Sequence, residues 1–345
     1  MSNHYVPVQW NRQKRRYDRY LLFLILIYLG LFIGLQLAFF SEITPETMII
    51  RATGTLAFLL LHVVLSIGPL ARLNPRVMPL LYNRRHLGVM LFLVAMIHGV
   101  FNLIQFHALG NTDVITSLLT SNTQYGSLVN FPFQVLGFLA LIILFLMAAT
   151  SHDFWLKNLG SRVWKTLHML VYVAYALLVF HVMLGVVQLE QSPVWIGLTG
   201  LGMLWITGLH VRVGFLEQKK EHRPDQAEAD GFVRVCAVGE ILENRAKTLI
   251  AGDQNIAVFK YDGKLSAVSN LCRHQNGPLG EGKIVDGCIT CPWHGYQYLP
   301  ENGQSPPPFT EKLETYDVRV IGQDVYVHPE PHPPGTERPA ATIHP

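Results

Sequence analysis

Charge is the first thing this sequence is short of. Only 15% of its 345 residues are Asp, Glu, Lys or Arg, against about 25% in ordinary soluble domains. The two signs nearly cancel, 27 basic against 24 acidic for a net charge of +3. That leaves neither the acidic excess of a solvating chain nor the basic excess of a nucleic-acid module. Cysteine is scarce as well, and four residues do not make a disulfide scaffold of a chain this long. No G-x-G-x-x-G unit links a strand to a helix, which excludes an FAD or NAD(P)H domain of the dinucleotide-binding type. With 50% of residues hydrophobic, the chain is not a disordered one either. Its excesses are apolar residues and histidine, 15 of the latter, and where these lie decides the reading.

The apolar residues gather in six stretches, at 21–40, 50–70, 87–106, 132–149, 165–187 and 194–215. A helix crossing a bilayer needs about 20 predominantly apolar residues, and the first stretch, LLFLILIYLGLFIGLQLAFF, carries no charge at all. The expectation is an all-α, six-helix transmembrane bundle over residues 21–216. The first stretch is too long for a signal-peptide core of about 7–15 residues, and Phe39, Phe40 and Glu42 stand where a cleavage site would need small residues. It reads as a retained anchor.

Basic residues alternate between the loops. Residues 1–20 form a basic tail with Arg12, Lys14, Arg15, Arg16 and Arg19; Arg72, Arg76, Arg84 and Arg85 follow the second stretch; Lys157, Arg162 and Lys165 follow the fourth. The intervening loops, SEITPET, the segment 107–131 and QLEQSP, contain no Lys or Arg. Positive loops face the cytoplasm, so both termini are expected there, in a multi-pass protein of a bacterial inner membrane.

From Glu217 the composition turns polar, and residues 217–230 read as a linker. Short alternating runs follow, FVRVCAV, IAVFKY, KLSAV, YDVRVIG and DVYVHP, punctuated by Asp262-Gly263, Asp286-Gly287 and Asn302-Gly303. These are strand and turn signals, and they predict a small all-β domain over 231–328. The proline-rich end, 329–345, reads as a disordered tail.

Inside the β domain stand Cys272-Arg273-His274 and, sixteen residues later, Cys291-Pro292-Trp293-His294. Two cysteines and two histidines also suit tetrahedral zinc, but the surroundings, NLCRHQNGPL and CPWHGYQY, favour an iron–sulfur cluster. The pattern resembles the Rieske family over about 95 residues. That resemblance implies a [2Fe-2S] cluster with Cys272 and Cys291 on one iron and His274 and His294 on the other. In the respiratory branch of that family an extra cysteine in each loop forms a disulfide. Gly277 and Trp293 occupy those positions here, so no such bridge is expected, in keeping with a reducing cytoplasmic side. Tyr296 replaces a serine that donates to a cluster sulfur in that branch, while Tyr298 keeps the neighbouring tyrosine. The pattern looks like the ferredoxin and ring-hydroxylating-dioxygenase branch, toward the lower part of a range of roughly −150 to +300 mV. Cys236 and Cys288 read as small strand residues.

Four histidines, His62, His98, His168 and His181, fall at membrane depth, where ionisable groups are functional candidates. Two neutral imidazoles make a closed axial pair suited to electron transfer. The arrangement RATGTLAFLLLHVVLSIGPLARL…YNRRHLGVMLFLVAMIHGV…RVWKTLHMLVYVAYALLVFH resembles the ferric-reductase-like transmembrane family, which includes ferric reductases, NADPH oxidases and the haem membrane subunit of bacterial methionine sulfoxide reductase systems. The resemblance implies b-type haem, one or two, held by histidines of the third and fifth helices. At about 1.5 Å per residue, His98 and His181 lie roughly 17–25 Å from the cytoplasmic helix ends and His168 only about 5 Å, so His98 and His181 pair and His168 serves an inner haem. His168 and His181 differ by roughly 140° around an ideal helix, which calls for a bulge, a bend or tilted rings. Where four-histidine members carry the fourth ligand this chain has Arg84; His86, two residues on, is the substitute, and His62 a weaker one. Arg51 and Lys165 are candidate propionate partners.

The combination implies transmembrane electron transfer. A cytoplasmic donor, a reductase or a ferredoxin, would serve the cluster, and haem would lead toward a periplasmic partner enzyme or a quinone, with no nucleic acid involved. The alternative is an enzyme that itself reduces an external acceptor such as Fe(III) or oxygen.

Overall fold

A computed structural model describes residues 12–40, 42–77, 80–81, 83–188, 193–220, 230–274, 276–293 and 295–343. His294, linker residues 221–229 and the first eleven residues of the basic tail lie outside these. The chain divides into two compact units, Met1–Val211 and Arg212–Pro345.

The first unit is helical. Helix α1 (Arg12–Phe39) already begins within the basic segment. Helix α2 (Pro45–Leu73) starts at Thr44, whose hydroxyl accepts the Thr47 N–H at 3.3 Å, with Pro45 at the first helical position where its missing N–H costs nothing. Then come α3 (Arg84–His107), the short α4 (Val114–Thr120), α5 (Phe133–Ala149), α6 (Asp153–Met169), α7 (Val171–Val182) and α8 (Pro193–Lys220). Among the described residues, five helical spans are long and apolar enough to cross a membrane: Lys14–Phe39, Pro45–Leu73, Arg84–His107, Val163–Gly185 and Pro193–Leu216. The fourth predicted stretch forms the shorter apolar α5, of 17 residues.

Helix α2 is the inner one, burying Ala52, Leu56, Leu60, Leu61 and Leu65, whereas α1 turns Leu22, Phe23, Leu24 and Leu26 outward. Such an outward apolar face is what lipid covers. The hydroxyls of Thr53, Thr55 and Ser66 bond back to the carbonyls of Ile49, Arg51 and His62, which satisfies them without water. The fifth predicted stretch is not one straight helix. Its run breaks at Leu170, between α6 and α7, and widens into a π-type turn over Met183–Val187. The break falls between His168 and His181, where ideal helix geometry would set the two rings on different faces.

The second unit is β. Strands β1 (Val233–Ala237), β10 (Asp324–Val327) and β9 (Val318–Ile321) form one sheet; β2 (Arg245–Ala251), β3 (Gln254–Tyr261), β4 (Lys264–Ser269) and β11 (Ala341–Thr342) form a second, with β8 (Thr315–Tyr316) also on β4. A third holds β5 (Lys283–Val285), β6 (Cys288–Thr290) and β7 (Gln297–Tyr298). Asp262-Gly263 and Asp286-Gly287 join β3 to β4 and β5 to β6 with positive φ at both residues of each pair, as tight hairpins require. Cys236 and Cys288 are buried on β1 and β6, and burial pushes the Cys236 thiol up to about 11.

The disordered tail expected after residue 328 is overturned. Four of its N–H groups find carbonyls of the domain: His332 on Thr315 (2.9 Å), Gly335 on Leu313 (3.0 Å), Arg338 on Glu301 (2.8 Å) and Ile343 on Gly263 (2.9 Å). Asp317 ties it further, to His332 Nε2 at 3.0 Å and to Arg338 Nε at 2.6 Å. Proline limits helix and core formation, but it leaves carbonyls and alternate N–H groups free for edge pairing. Partial burial pushes the Asp317 carboxyl up, and His332 and Arg338 outweigh this and hold it below its ordinary value. Its contribution is therefore present at neutral pH and lost as pH falls below about 4. Asp317→Asn is expected to speed amide exchange across 330–343 at pH 7 while leaving β3 and β4 protected; equal exchange in wild type and variant would contradict this role.

Candidate metal centres

The cysteines sit at the mouths of two equivalent loops. In the first, Cys272 N–H donates to Gly277 O at 2.9 Å and Asn276 N–H to Cys272 O at 2.6 Å. In the second, Cys291 N–H donates to Tyr296 O at 2.8 Å and Gly295 N–H to Cys291 O at 2.9 Å. Asn276 and Gly295, at the same place in each loop, both take positive φ, 56° and 70°. One backbone form thus presents a cysteine at its start in both loops.

The loops face each other. A Cβ on Gly277 would stand 2.9 Å from Cys291 Sγ, and the His274 ring lies parallel to that of Tyr296, centroids 5.0 Å apart and planes 9° apart. Cys272 and Cys291 share one buried core with Leu279 and Tyr298 and are 0% and 2% exposed. No disulfide joins any of the cysteines among the described residues. The Tyr298 hydroxyl accepts the Arg273 N–H at 3.0 Å and lies 3.4 Å from Cys272 Sγ. Burial, then the neighbouring Cys272, push its pKa up, and with the sulfur as a metal-binding thiolate the hydroxyl is the donor of this contact. The Tyr296 hydroxyl bonds Glu311, and Arg273 pairs with Glu314. No group of three metal-ligating side chains is assembled among the described residues, and His294 is not one of these.

In the membrane unit the structure brings His98 (α3) and His181 (α7) together, ring centroids 6.3 Å apart and planes 81° apart. Two imidazoles on opposite faces of one metal ion, each bonded at about 2 Å, put their ring centres roughly 6 Å apart. His98 Nδ1 donates to Ile50 O at 2.9 Å and His181 Nδ1 to Phe133 O at 2.8 Å, which leaves Nε2 as the lone pair of each neutral ring. The pair therefore fits one haem iron. His168 (α6) bonds Trp164 O through Nδ1 at 3.0 Å and stacks on the Trp164 ring at 3.8 Å; its Nε2 is buried with no partner among the described residues. That atom could also hold a metal.

His86 and His62 have other partners. His86 Nδ1 is 2.9 Å from Asp18 Oδ1. His62 engages both nitrogens, Nδ1 with Phe58 O at 2.8 Å and Nε2 with the Tyr175 hydroxyl at 3.2 Å. His210 repeats that pattern with Ile206 O and Tyr172, and His107 bridges Ser117 and Gln134. His62, His210 and His107 thus engage both ring nitrogens in packing contacts, whereas the Asp18 contact takes up only Nδ1 of His86. The sequence reading missed the carbonyls of Ile50 and Phe133. Their signal was present: each lies 48 residues before its histidine.

Comparison with known proteins finds a family match in each unit. Residues 53–179 match the ferric reductase like transmembrane component, and residues 231–317 match the Rieske [2Fe-2S] domain. A protein-methionine-sulfoxide reductase heme-binding subunit MsrQ from Enterobacter sp. is 31% identical over 180 residues, 52% of this chain and 84% of that protein. The ferredoxin component of an alkene monooxygenase system from Xanthobacter autotrophicus is 30% identical over 114 residues, 32% of this chain and 93% of that protein. The chain belongs to both families. It is a membrane electron-transport protein that carries a ferric reductase like haem domain and a Rieske domain in one polypeptide. Among solved structures, the ferredoxin in a carbazole 1,9a-dioxygenase complex aligns with 26% identity and a TM-score of 0.28, over 30% of this chain and 96% of that one.

In the Rieske domain, Tyr298→Phe removes the hydroxyl donor to Cys272 Sγ. A hydrogen bond is worth about 1 kcal/mol net, so the cluster potential is expected to fall by tens of millivolts, read by EPR-monitored titration. An unchanged potential would refute the assignment.

Proposed function

We propose that this protein moves single electrons between the cytoplasmic side of a bacterial inner membrane and its outer face. Cys272, Cys291, His274 and His294 would hold a Rieske [2Fe-2S] cluster, and His98 with His181 would hold b-type haem, each cofactor taking up and releasing one electron at a time when bound. The observation that carries this reading is the facing of His98 and His181 at a 6.3 Å centroid distance in a chain that also belongs to the Rieske family. Each ring has its Nδ1 committed to a backbone carbonyl and its Nε2 free for a metal.

The rest of the reading concerns topology. Taking α5 as a sixth span, its 17 residues reach about 25 Å at 1.5 Å per residue, close to the hydrocarbon thickness. Six spans with basic loops inside put both termini, and with them residues 231–328, on the cytoplasmic side. A cytoplasmic reductase or ferredoxin would supply electrons, and a periplasmic partner enzyme or quinone would take them. The relatives favour a partner for the final step, since both are named as parts of larger systems: a heme-binding subunit and a ferredoxin component.

The chain's own residues supply three further contributions. Tyr298 donates toward Cys272 Sγ, which stabilises added negative charge on the sulfur. His98 and His181 are half-buried between the membrane helices. Near His168, the Arg85 guanidinium lies 5.0 Å over the Trp164 ring, placing positive charge on the side where basic loops gather.

Purified protein titrated under EPR and visible spectroscopy tests the reading. It predicts a Rieske signal abolished by Cys272→Ser or Cys291→Ser, and a low-spin haem spectrum that those changes leave intact. His98→Ala and His181→Ala should each remove the same haem while leaving the Rieske signal. Loss of different haems, or of none, would defeat the pairing.

A further inference from the structure

The environments of His98 and His181 are built alike although their sequences differ. Each imidazole reaches the carbonyl of a neighbouring helix, Ile50 on α2 and Phe133 on α5. Inside a helix, a carbonyl already receives the N–H four residues on, here that of Gly54 and of Gly137. Its second lone pair is open only if the side chain at that position leaves room. A Cβ on Gly54 would stand 2.7 Å from His98 Nδ1 and 2.8 Å from Cε1; on Gly137 it would stand 2.8 Å from both Nδ1 and Cε1 of His181. Ordinary side chains do not tolerate such distances, and the rings could not stay where they are.

The coincidence extends to numbering. Ile50 and Phe133, Gly54 and Gly137, and His98 and His181 are each separated by 83 residues. The local sequences, ATGTL against VLGFL and MIHGV against VFHVM, share beyond the glycine and the histidine only a leucine two residues after the glycine, so the recurrence lies mainly in the geometry. The contrast is His62. It also lies against a glycine, Gly202, but its Nδ1 bonds its own helix and its Nε2 a tyrosine, so no nitrogen is left for a ligand.

We infer that Gly54 and Gly137 are positioning residues for the two haem-binding imidazoles. By leaving the carbonyls of Ile50 and Phe133 open to a second donor, they hold His98 and His181 as Nδ1–H tautomers with Nε2 turned to the metal. This rests on the haem reading above and adds to it the residues that aim the ligands. Partners of this kind typically change metal affinity about 10- to 100-fold when removed.

The test uses the full chain, with the Rieske EPR signal of each preparation as the check on folding. Gly54→Ala and Gly137→Ala should each weaken haem binding on the order of 10- to 100-fold and convert the haem that remains from low-spin to high-spin. Gly88→Ala and Gly208→Ala, where a Cβ meets nothing within 4 Å, should leave both readouts as in wild type. Should the two variants fail to accumulate, pulsed EPR of the wild type decides: two hydrogen-bonded Nδ1 protons, slow to exchange in D2O, support the inference, and rapidly exchanging or absent ones overturn it. Low-spin spectra unchanged in both variants would overturn the positioning role while leaving the haem reading standing. A wild type without bis-histidine haem would overturn both.

Discussion

In hydrocarbon, a polar group must find its partner inside the protein, and the membrane unit is organised around that requirement. Five of its histidines meet the demand through helix carbonyls, in two ways. His62, His168 and His210 turn back onto the carbonyl one turn earlier in their own helix, which any helix offers. His98 and His181 instead reach across to neighbouring helices, which is harder, because those carbonyls already serve their own ladders. The second way needs helices close together and a residue without a side chain at the point of contact. It also fixes which nitrogen of each ring remains unprotonated, and that nitrogen is the one able to bind iron.

The β unit answers a related problem by different means. Cys272 and Cys291 must be buried, since exposed thiolates oxidise and exchange, yet they must converge from separate loops. Two loops of one backbone form do this, each closed by its own pair of main-chain hydrogen bonds. The tyrosine on β7 then serves both the first loop's backbone and its sulfur. The ordered C-terminal segment adds a strand to the main sheet and covers an edge that would otherwise stay open.

Much of this was legible in the sequence. Long uncharged runs have few fates other than a bilayer, and Cys-x-His with Cys-x-x-His in a valine-rich context narrows the chemistry to very few centres. Hairpin positions followed from Asp-Gly pairs that tolerate positive φ. The tail was misread because composition predicts what a segment can bury, and it says nothing of whether edge carbonyls of a folded domain stand ready to receive its N–H groups. The break at Leu170 was foreseen only as a geometric mismatch between His168 and His181, with no means of locating it.

By itself, then, the sequence determined the membrane character of one part, the β character of the other, and the residue types able to hold metal in each. These depend on local composition and periodicity. Helix depth already paired His98 with His181; only the tertiary structure decided which carbonyls receive their Nδ1 groups, those of Ile50 and Phe133, since no local pattern specifies the relative rotation of helices. It likewise decided that His62 is spent on Tyr175, and that two glycines 83 residues apart occupy equivalent places. A contact between helices is set by packing, and packing is a property of the folded chain.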